Sequence, residues 1–345
     1  MRGDVKAIVM AGGSRCSWHA VLPPSLYPII HRPLIWHILR WLAEGGVAEA
    51  TICAGREMHL LMECLDDGSD AGVRLDYYQN ELPRGSAGCV RDAASESGAK
   101  RFVVVEESCI PQFELNGLLE GHGRAEALLT FVLSRDGDSV GRGFISSGIY
   151  VLEREAFDEV PEAGCCGIEE SLIPGLQACG ARVEADMRER PCLTVGNAQS
   201  YLFANAHLLE CGWHLNLPEV EYARHLQSRV HRTATCPLGT RLLGPVLIGP
   251  ATFLADGVTV AGPAVIGANC HLGRGAVVSR SVLWDECTIG PNATVDMCVF
   301  TGETGVEPFE KVEHRVQVTP RPRNFVAPDA SRARSTVFQT SGIRS

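Results

Sequence analysis

The chain has 345 residues, enough for two domains, and its 45% hydrophobic and 21% charged residues are typical of a globular protein. A net charge of −10 repels phosphate backbones, which excludes nucleic-acid binding outside a local basic patch. No apolar run reaches the roughly 20 residues that a membrane span requires, so we expect a soluble protein without a membrane partner.

Cysteine usage indicates the compartment. The 14 cysteines are scattered, none forms a C-x-x-C pair, and no hydrophobic signal segment precedes the first strand. We therefore expect reduced thiols and a cytoplasmic protein. The single close pair, Cys165 and Cys166, is vicinal, which is poor geometry for two ligands of one zinc ion.

Short β-branched runs alternate with helical stretches in the first half of the chain. The clearest helix is predicted to begin at Pro33 and to end at Gly45, with apolar residues three, four and seven positions apart between them. Such alternation predicts a mostly parallel sheet with helices on both faces. The predicted strands are Val5 to Ala11, Ala48 to Ala54, Val73 to Tyr78, Arg101 to Val105 and Leu128 to Leu133.

From Leu242 onward the hydrophobic period changes to six residues. Hexapeptide periodicity is the signature of a parallel β-helix, in which each hexad forms one side of a triangular coil and its aliphatic residue points inward. We predict a left-handed β-helix of about three coils, whose exposed edges need a cover. One series of aliphatic residues contains Leu242, Ile248, Leu254, Val260, Ile266 and Leu272. A second series, displaced by one residue, contains Val277, Leu283, Ile289 and Val295.

These patterns divide the chain into four parts. We predict an α/β domain over residues 1–212, a linker over 213–241, the β-helix and its extension over 242–318, and a tail over 319–345. The tail is rich in Arg and Ser and has no periodicity, so we expect it to be disordered. A solvated terminus is favoured over a nucleic-acid-binding arm.

Several segments match one family in the correct order. IVMAGGSR at Ile8 to Arg15 is a strand that runs into a glycine-rich turn, and PRGSAGCV at Pro83 to Val90 is a second such turn. SSGIYVLE follows at Ser146, LTVGNAQSYL at Leu193 and the hexad segment SVLWDECTIG at Ser281. Together they resemble the sugar-1-phosphate nucleotidyltransferases, with the hexads similar to those of mannose-1-phosphate guanylyltransferases. The resemblance covers about residues 5 to 300.

The resemblance implies a Rossmann-like nucleotidyltransferase domain with a mostly parallel sheet, followed by the left-handed parallel β-helix. It also implies the family's reaction, in which a nucleoside triphosphate and a sugar 1-phosphate give a nucleotide sugar and pyrophosphate, with Mg²⁺ as cofactor. The implied catalytic residue is Arg15. The implied nucleotide-binding residues are Gly12, Gly13, Gly85, Ser86 and Gly88, and the implied sugar-binding residues are Gly148 and Glu170.

This sequence departs from the family pattern at the residues that carry out the reaction. The family's lysine after the first loop falls on Pro24, and its two Mg²⁺ aspartates fall on Ser108 and Thr194. The stretch between Leu133 and Phe144 is short and lacks the family's second phosphate-binding lysine. Phosphoryl transfer depends on positioning and on cationic stabilisation of the phosphates, so these losses remove most of the expected rate enhancement.

Several interpretations of these residues stay open. The turn at Gly12, Gly13 and Arg15 either holds a phosphate or is only a tight strand-to-helix turn, and the turn at Gly85 has the same two readings. Glu170 either meets sugar hydroxyls or is an acidic residue that a helix N-terminus favours.

Two functions follow from these alternatives. The first is an active pyrophosphorylase with a rearranged metal site that uses Glu106 or Glu107. The second, which the missing phosphate machinery favours, is a non-catalytic paralogue that binds a nucleotide or nucleotide sugar. Its protein partner would be a second copy of the chain or an active homologue bound through the β-helix.

Overall fold

The structure is a computed structural model that describes residues 5–12, 22–80, 84–135, 144–188, 192–211, 222–225 and 227–318. The first half contains, in chain order, β1 (Val5–Met10), β2 (Pro28–Ile29), β3 (Arg32–Pro33), α1 (Leu34–Glu44), β4 (Glu49–Ala54), α2 (Met58–Leu65), β5 (Arg74–Gln79), α3 (Gly85–Ala94), β6 (Arg101–Glu106), β7 (Cys109–Ile110), α4 (Leu115–Ala125), β8 (Leu129–Arg135), β9 (Phe144–Glu153), α5 (Ile173–Ala178), β10 (Val183–Arg188), β11 (Leu193–Thr194) and α6 (Ala198–Cys211).

The central sheet has seven strands in the order β10-β8-β9-β6-β1-β4-β5. Strand β9 runs antiparallel to β6 and β8, and the other neighbours in the sheet are parallel. The interior strand β1 buries Ala7, Ile8 and Val9 completely, since its two faces pack into two different core clusters. The predicted mostly parallel sheet is confirmed.

Helix α1 illustrates the small differences at element ends. It ends before Gly45, as predicted, but it begins at Leu34 rather than at Pro33. Pro33 has φ −57° and ψ 143°, an extended conformation, because it pairs with Pro28 in the short β2–β3 ladder. The helix buries Leu34, Ile38 and their neighbours, so the apolar residues that the spacing places on one face are buried as predicted.

The second half is a parallel β-helix, as predicted. Its elements are β12 (Tyr222–His225), β13 (Ser228–His231), β14 (Arg241–Leu243), β15 (Val246–Ile248), β16 (Phe253–Leu254), β17 (Thr259–Ala261), β18 (Ala264–Ile266), β19 (His271–Leu272), β20 (Val277–Ser279), β21 (Val282–Leu283), β22 (Thr288–Ile289), β23 (Thr294–Asp296), β24 (Val299–Phe300), β25 (Gly305–Val306), β26 (Lys311–Glu313) and β27 (Val316–Gln317). They form three sheets, ordered β12-β13-β15-β18-β21-β24-β27, β14-β17-β20-β23-β26 and β16-β19-β22-β25.

The β-helix is longer than the hexad pattern indicates. One sheet has five strands, which corresponds to five coils rather than about three. The first coil begins with β13, inside the range expected to be a linker, and Thr235 bridges to Phe253 in the second coil. At this end of the sheet, β12 pairs antiparallel with β13, so the parallel stacking of the coils stops there.

The change of register also lies one step later than expected. Val278 is fully buried and continues the first series, whereas Val277 is only half-buried and points outward. The next inward residue is Leu283, so a five-residue side replaces a six-residue side at this corner. The same shortening recurs between Val295 and Phe300, which are both fully buried.

One face of the β-helix packs directly on the α/β domain. The outward residues of the sheet that contains β15, β18, β21 and β24 belong to the same core cluster as the side chains of α1 and α6. This face of the β-helix therefore packs into a core cluster of the α/β domain, which covers it, while the inward β-helix residues form a separate core. These outward residues are Leu247, Val265, Val282 and Val299.

Among the described residues, no helix is both long enough and apolar enough to cross a membrane. The expected disordered tail, residues 319–345, lies outside the described residues.

Candidate nucleotide-binding site

The first predicted turn begins at the carboxyl edge of the sheet. Gly12 follows β1 with φ +126°, a backbone conformation that favours glycine. A Cβ on Gly12 would lie 3.7 Å from the amide nitrogen of Gly55, which follows β4, so the two loops are adjacent. Gly13 and Arg15 lie outside the described residues, and their phosphate contacts remain a prediction.

The second predicted turn starts α3, which packs against β1 and β4 and begins at the same edge of the sheet. Gly85 has φ +72°, and a Cβ there would lie 2.5 Å from the carbonyl oxygen of Cys166. The Ser86 hydroxyl accepts a hydrogen bond of 2.8 Å from the backbone N–H of Ile168. A Cβ on Gly88 would lie 2.9 Å from the Cβ of Arg84. Close neighbours therefore leave little room for a side chain at Gly85 and Gly88, and Ser86 is held by a hydrogen bond.

The segment around Cys166 binds the backbone amides at the N-terminus of α3. The backbone N–H groups of Ala87 and Gly88 both donate to the Cys166 carbonyl, at 2.9 and 3.2 Å. The Cys166 N–H donates back to the Arg84 carbonyl at 2.8 Å. Arg84 is buried, and its guanidinium donates to Asp92 and to two backbone carbonyls between α3 and this segment. Two of the amides that could bind an anion at this helix N-terminus are therefore already satisfied.

Gly148 stands beside a carboxylate. It has φ +68° in β9, and a Cβ there would lie 2.8 Å from the Cβ of Glu106 and 2.9 Å from its Oε2. Glu106 ends β6 and pairs with Met10 at the end of β1, so this contact also lies at the carboxyl edge. Only glycine fits this approach, which explains the residue whether or not a sugar binds there.

Three carboxylates share this edge, and we call Glu106, Glu169 and Glu170 the acidic edge. Burial raises the pKa of the Glu106 carboxyl, and the charges of Glu169, Glu170 and Glu107 raise it further. Tyr150 donates its hydroxyl to Glu169 at 2.6 Å, and Glu170 lies over Gly167. Carboxylate oxygens accept hydrogen bonds from sugar hydroxyls and repel phosphate, so the acidic edge suits the sugar rather than the phosphate of a ligand.

Residues 6–163 match the nucleotidyl transferase family, and residues 245–280 match the bacterial transferase hexapeptide family of six repeats. Curated proteins with both halves also match. One is a UTP--glucose-1-phosphate uridylyltransferase of Synechocystis, 22% identical over 86% of this chain and 87% of that protein. Another is a mannose-1-phosphate guanylyltransferase of Mycobacterium tuberculosis, 23% identical over 85% of this chain and 83% of that protein.

Residues 6–163 thus match the nucleotidyl transferase family, and this chain is similar over most of its length to sugar-1-phosphate nucleotidyltransferases.

Solved structures with the same fold cover the α/β domain. HddC from Yersinia pseudotuberculosis is 17% identical, has a TM-score of 0.52, and covers 59% of this chain and 99% of its own. The same protein in complex with GMP-PN is 16% identical, with a TM-score of 0.52 and the same coverage. The predicted family and fold are confirmed by these comparisons.

The two positions that the resemblance aligns with metal-binding aspartates of the nucleotidyltransferases lie next to each other in this structure. Strands β7 and β11 pair antiparallel with Thr194 opposite Cys109, and the Val195 N–H donates to the Ser108 carbonyl at 2.9 Å. Ser108 and Thr194 are therefore neighbours across one short ladder, although they are far apart in sequence. Both carry a hydroxyl, which is a poor replacement for an anionic Mg²⁺ ligand.

Nearby acidic residues do not complete a metal site. Glu107 is 1% exposed, and burial and the neighbouring carboxylates raise the pKa of Glu106, so its ionised form is less stable than that of an ordinary glutamate. Within the described ranges, no group of three or more His, Cys, Asp or Glu side chains is arranged to hold a metal ion. The side chains at this edge do not fit Mg²⁺.

Pro24, which occupies the position of the family's lysine, lies in a short turn of this chain. Pro24 starts a 3-10 turn that ends at Leu26, and its carbonyl accepts the Tyr27 N–H at 3.0 Å. A proline there supplies neither charge nor a donor. The shortened stretch after Leu133 falls on residues 136–143, which lie outside the described residues.

Sequence reasoning missed two residues of this site. Tyr150 lies two residues after Gly148 on β9, so the period of a strand would have placed it on the same face. The contact of Cys166 with Gly85 had no comparable signal, because the two residues are about 80 positions apart and belong to different loops.

Proposed function

We propose that this chain binds a nucleotide or nucleotide sugar at the carboxyl edge of its sheet and does not catalyse nucleotidyl transfer with release of pyrophosphate. The main support for the absence of catalysis is the pair of hydroxyl residues Ser108 and Thr194. They occupy the two neighbouring positions where the family has carboxylates. The transferred phosphoryl group needs cations to offset its charge in the transition state. Without a carboxylate pair to hold Mg²⁺, and with Pro24 in place of lysine, that stabilisation is missing.

Ligand binding is supported by the parts of the site that persist. Gly12 and Gly85 have positive φ, a backbone conformation that glycine-rich binding turns use. The acidic edge offers acceptors for sugar hydroxyls. The relatives are named for reactions on nucleoside triphosphates and sugar 1-phosphates, and one structural neighbour is in complex with GMP-PN. In this role the chain would act in the cytoplasm as a regulatory partner of a second copy or of an active homologue.

The competing function is an active sugar-1-phosphate nucleotidyltransferase with a rearranged metal site. Glu106 is the residue that favours it, because it stands at the end of β6 directly before the Glu107 and Ser108 positions. A catalytic metal site there would have to stabilise the Glu106 carboxylate against burial and three neighbouring carboxylates, which all raise its pKa. Turnover would therefore require an arrangement different from the one described.

The deciding experiment is a pyrophosphate-release assay with sugar 1-phosphates, nucleoside triphosphates and Mg²⁺. We expect no release above background, while the Mycobacterium tuberculosis relative, assayed in parallel as a positive control, turns over. Robust release by this chain would contradict the proposal and favour the competing function.

A second measurement tests binding itself. In a thermal-shift screen of nucleotides and nucleotide sugars, a ligand at about 100 times its Kd stabilises the folded state by about 2.7 kcal/mol. We expect a rise in melting temperature with at least one nucleotide sugar, and no requirement for Mg²⁺. The absence of any shift across the screen, with a normal melting transition, would contradict the binding role.

A further inference from the structure

The segment from Leu22 to Pro33 has little structure of its own. It contains one 3-10 turn at Pro24–Leu26 and the two-residue ladder between β2 and β3. Ile30 and His31 both have positive φ, 50° and 62°, which is unfavourable for a β-branched residue such as Ile30. A conformation that local preferences oppose must be held by contacts from the rest of the molecule.

Helix α6 supplies two of these contacts. The Tyr201 hydroxyl donates to the Pro28 carbonyl, and the Asn205 side-chain oxygen accepts the Ile30 N–H at 3.0 Å. Both side chains are almost completely buried, Tyr201 at 0% and Asn205 at 1% exposure. The two residues therefore fix the backbone on both sides of Ile29.

The β-helix supplies the remaining contacts. The indole N–H of Trp284 donates to the Tyr201 hydroxyl at 2.9 Å, and the Trp284 ring lies 5.7 Å from the ring of Tyr27. The His31 Nε2 donates to the carbonyl of Ile266, in strand β18 of the third coil, at 3.0 Å. Trp284 thus touches the segment directly through Tyr27 and indirectly through the hydroxyl that binds Pro28.

We propose that Trp284 is a positioning residue through which the β-helix holds residues 22–33 in their strained conformation. The segment carries Pro24, and its Leu22 and Leu26 pack in the same core cluster as Ala11 at the end of β1. Loss of the Trp284 contacts loosens residues 22–33 and, because this segment carries Pro24 at the position of the family's phosphate-binding lysine, lowers ligand affinity. This last step depends on the proposed binding function, whereas the positioning itself does not.

Hydrogen exchange tests the positioning without a ligand. The reporters are the amides of Ile30 and Leu34, which donate to Asn205 and to the Tyr27 carbonyl. We expect Trp284→Ala to speed exchange in this segment at least about fivefold, the factor expected for loss of one buried hydrogen bond. Tyr201→Phe, which removes only the shared hydroxyl, should have the same direction, and Trp284→Phe a smaller effect. Phe253→Ala is the matched control, because Phe253 is a partly exposed aromatic residue on another sheet of the β-helix.

Binding of GDP-mannose and UDP-glucose to the same full-length variants tests the coupling. Faster exchange together with weaker binding in Trp284→Ala and Tyr201→Phe, and neither effect in Phe253→Ala, is the expected result. Unchanged exchange in both variants would overturn the positioning, and Tyr201→Phe decides this if Trp284→Ala does not fold. Faster exchange with unchanged affinity would overturn the coupling. If the unmutated chain binds neither probe, the coupling is overturned together with the binding of these nucleotide sugars, and the exchange data still decide the positioning.

Discussion

His31 makes the contact between the two halves of the chain sensitive to acid. Burial lowers the pKa of His31 to about 4 from its ordinary value of 6.5, the Ile266 carbonyl partly opposes this, and the charge of His231 adds to it. The imidazole is thus neutral in the folded protein at neutral pH. In the unfolded chain it takes up a proton near pH 6.5, so the unfolded state binds more protons between these two values.

The sign and size of the effect follow from this difference. Stability is complete above about pH 6.5 and is lost as the pH falls toward 4, because acid favours the state that binds the extra proton. The full difference corresponds to about 3 kcal/mol, and the part lost between pH 7.5 and pH 5 is about 2 kcal/mol. This is a large fraction of the total stability of a typical domain.

The assay is urea unfolding of the unmutated chain and of His31→Gln over this pH range. The glutamine amide can still donate toward the Ile266 carbonyl but does not titrate, so the change in its unfolding free energy between the two pH values should be about 2 kcal/mol smaller. Titrating groups that do not interact with His31 contribute equally to both proteins and cancel. Parallel pH profiles for the two proteins would refute the assignment of a buried, neutral His31.

Three further predictions concern packing and the site. Ile266→Asp should unfold the β-helix, because a buried unpaired carboxylate costs several kcal/mol, whereas Val277→Asp on the half-buried outward face should retain its circular dichroism spectrum. Gly148→Ala should lower stability by about 1–3 kcal/mol in urea titrations, since its φ of +68° and the 2.8 Å approach to Glu106 both exclude a Cβ; an unchanged midpoint would contradict the contact. Ser86→Ala should cost about 1 kcal/mol by removing the acceptor of the Ile168 N–H, and a melting temperature equal to that of the unmutated chain would argue against this bond.

The candidate site joins features that the sequence shows to others that it hides. Reading Ser108 and Thr194 as the positions of the missing carboxylates depended on family resemblance, and the β7–β11 ladder brings these two residues together. Gly148 was selected from its motif, and its neighbour Glu106 emerged only from the pairing of β6 with β9. The engagement of the α3 N-terminus by Cys166 was not predictable, because a glycine-rich turn looks the same in sequence whether a ligand or the chain itself occupies it.

Local sequence patterns were sufficient to predict the parts of this protein that repeat or alternate. Residues such as Ile248 and Ile266 recur at a period set by the coil, and the runs that form β1 and β4 are apolar because both faces of a parallel strand are buried. Tertiary structure decided what joins these parts. The contact between Trp284 and Tyr201 links residues 83 positions apart, and no short-range period encodes which distant side chain will accept a given hydrogen bond. That choice depends on how the β-helix packs on the α/β domain, where burial forces each polar group to find a partner.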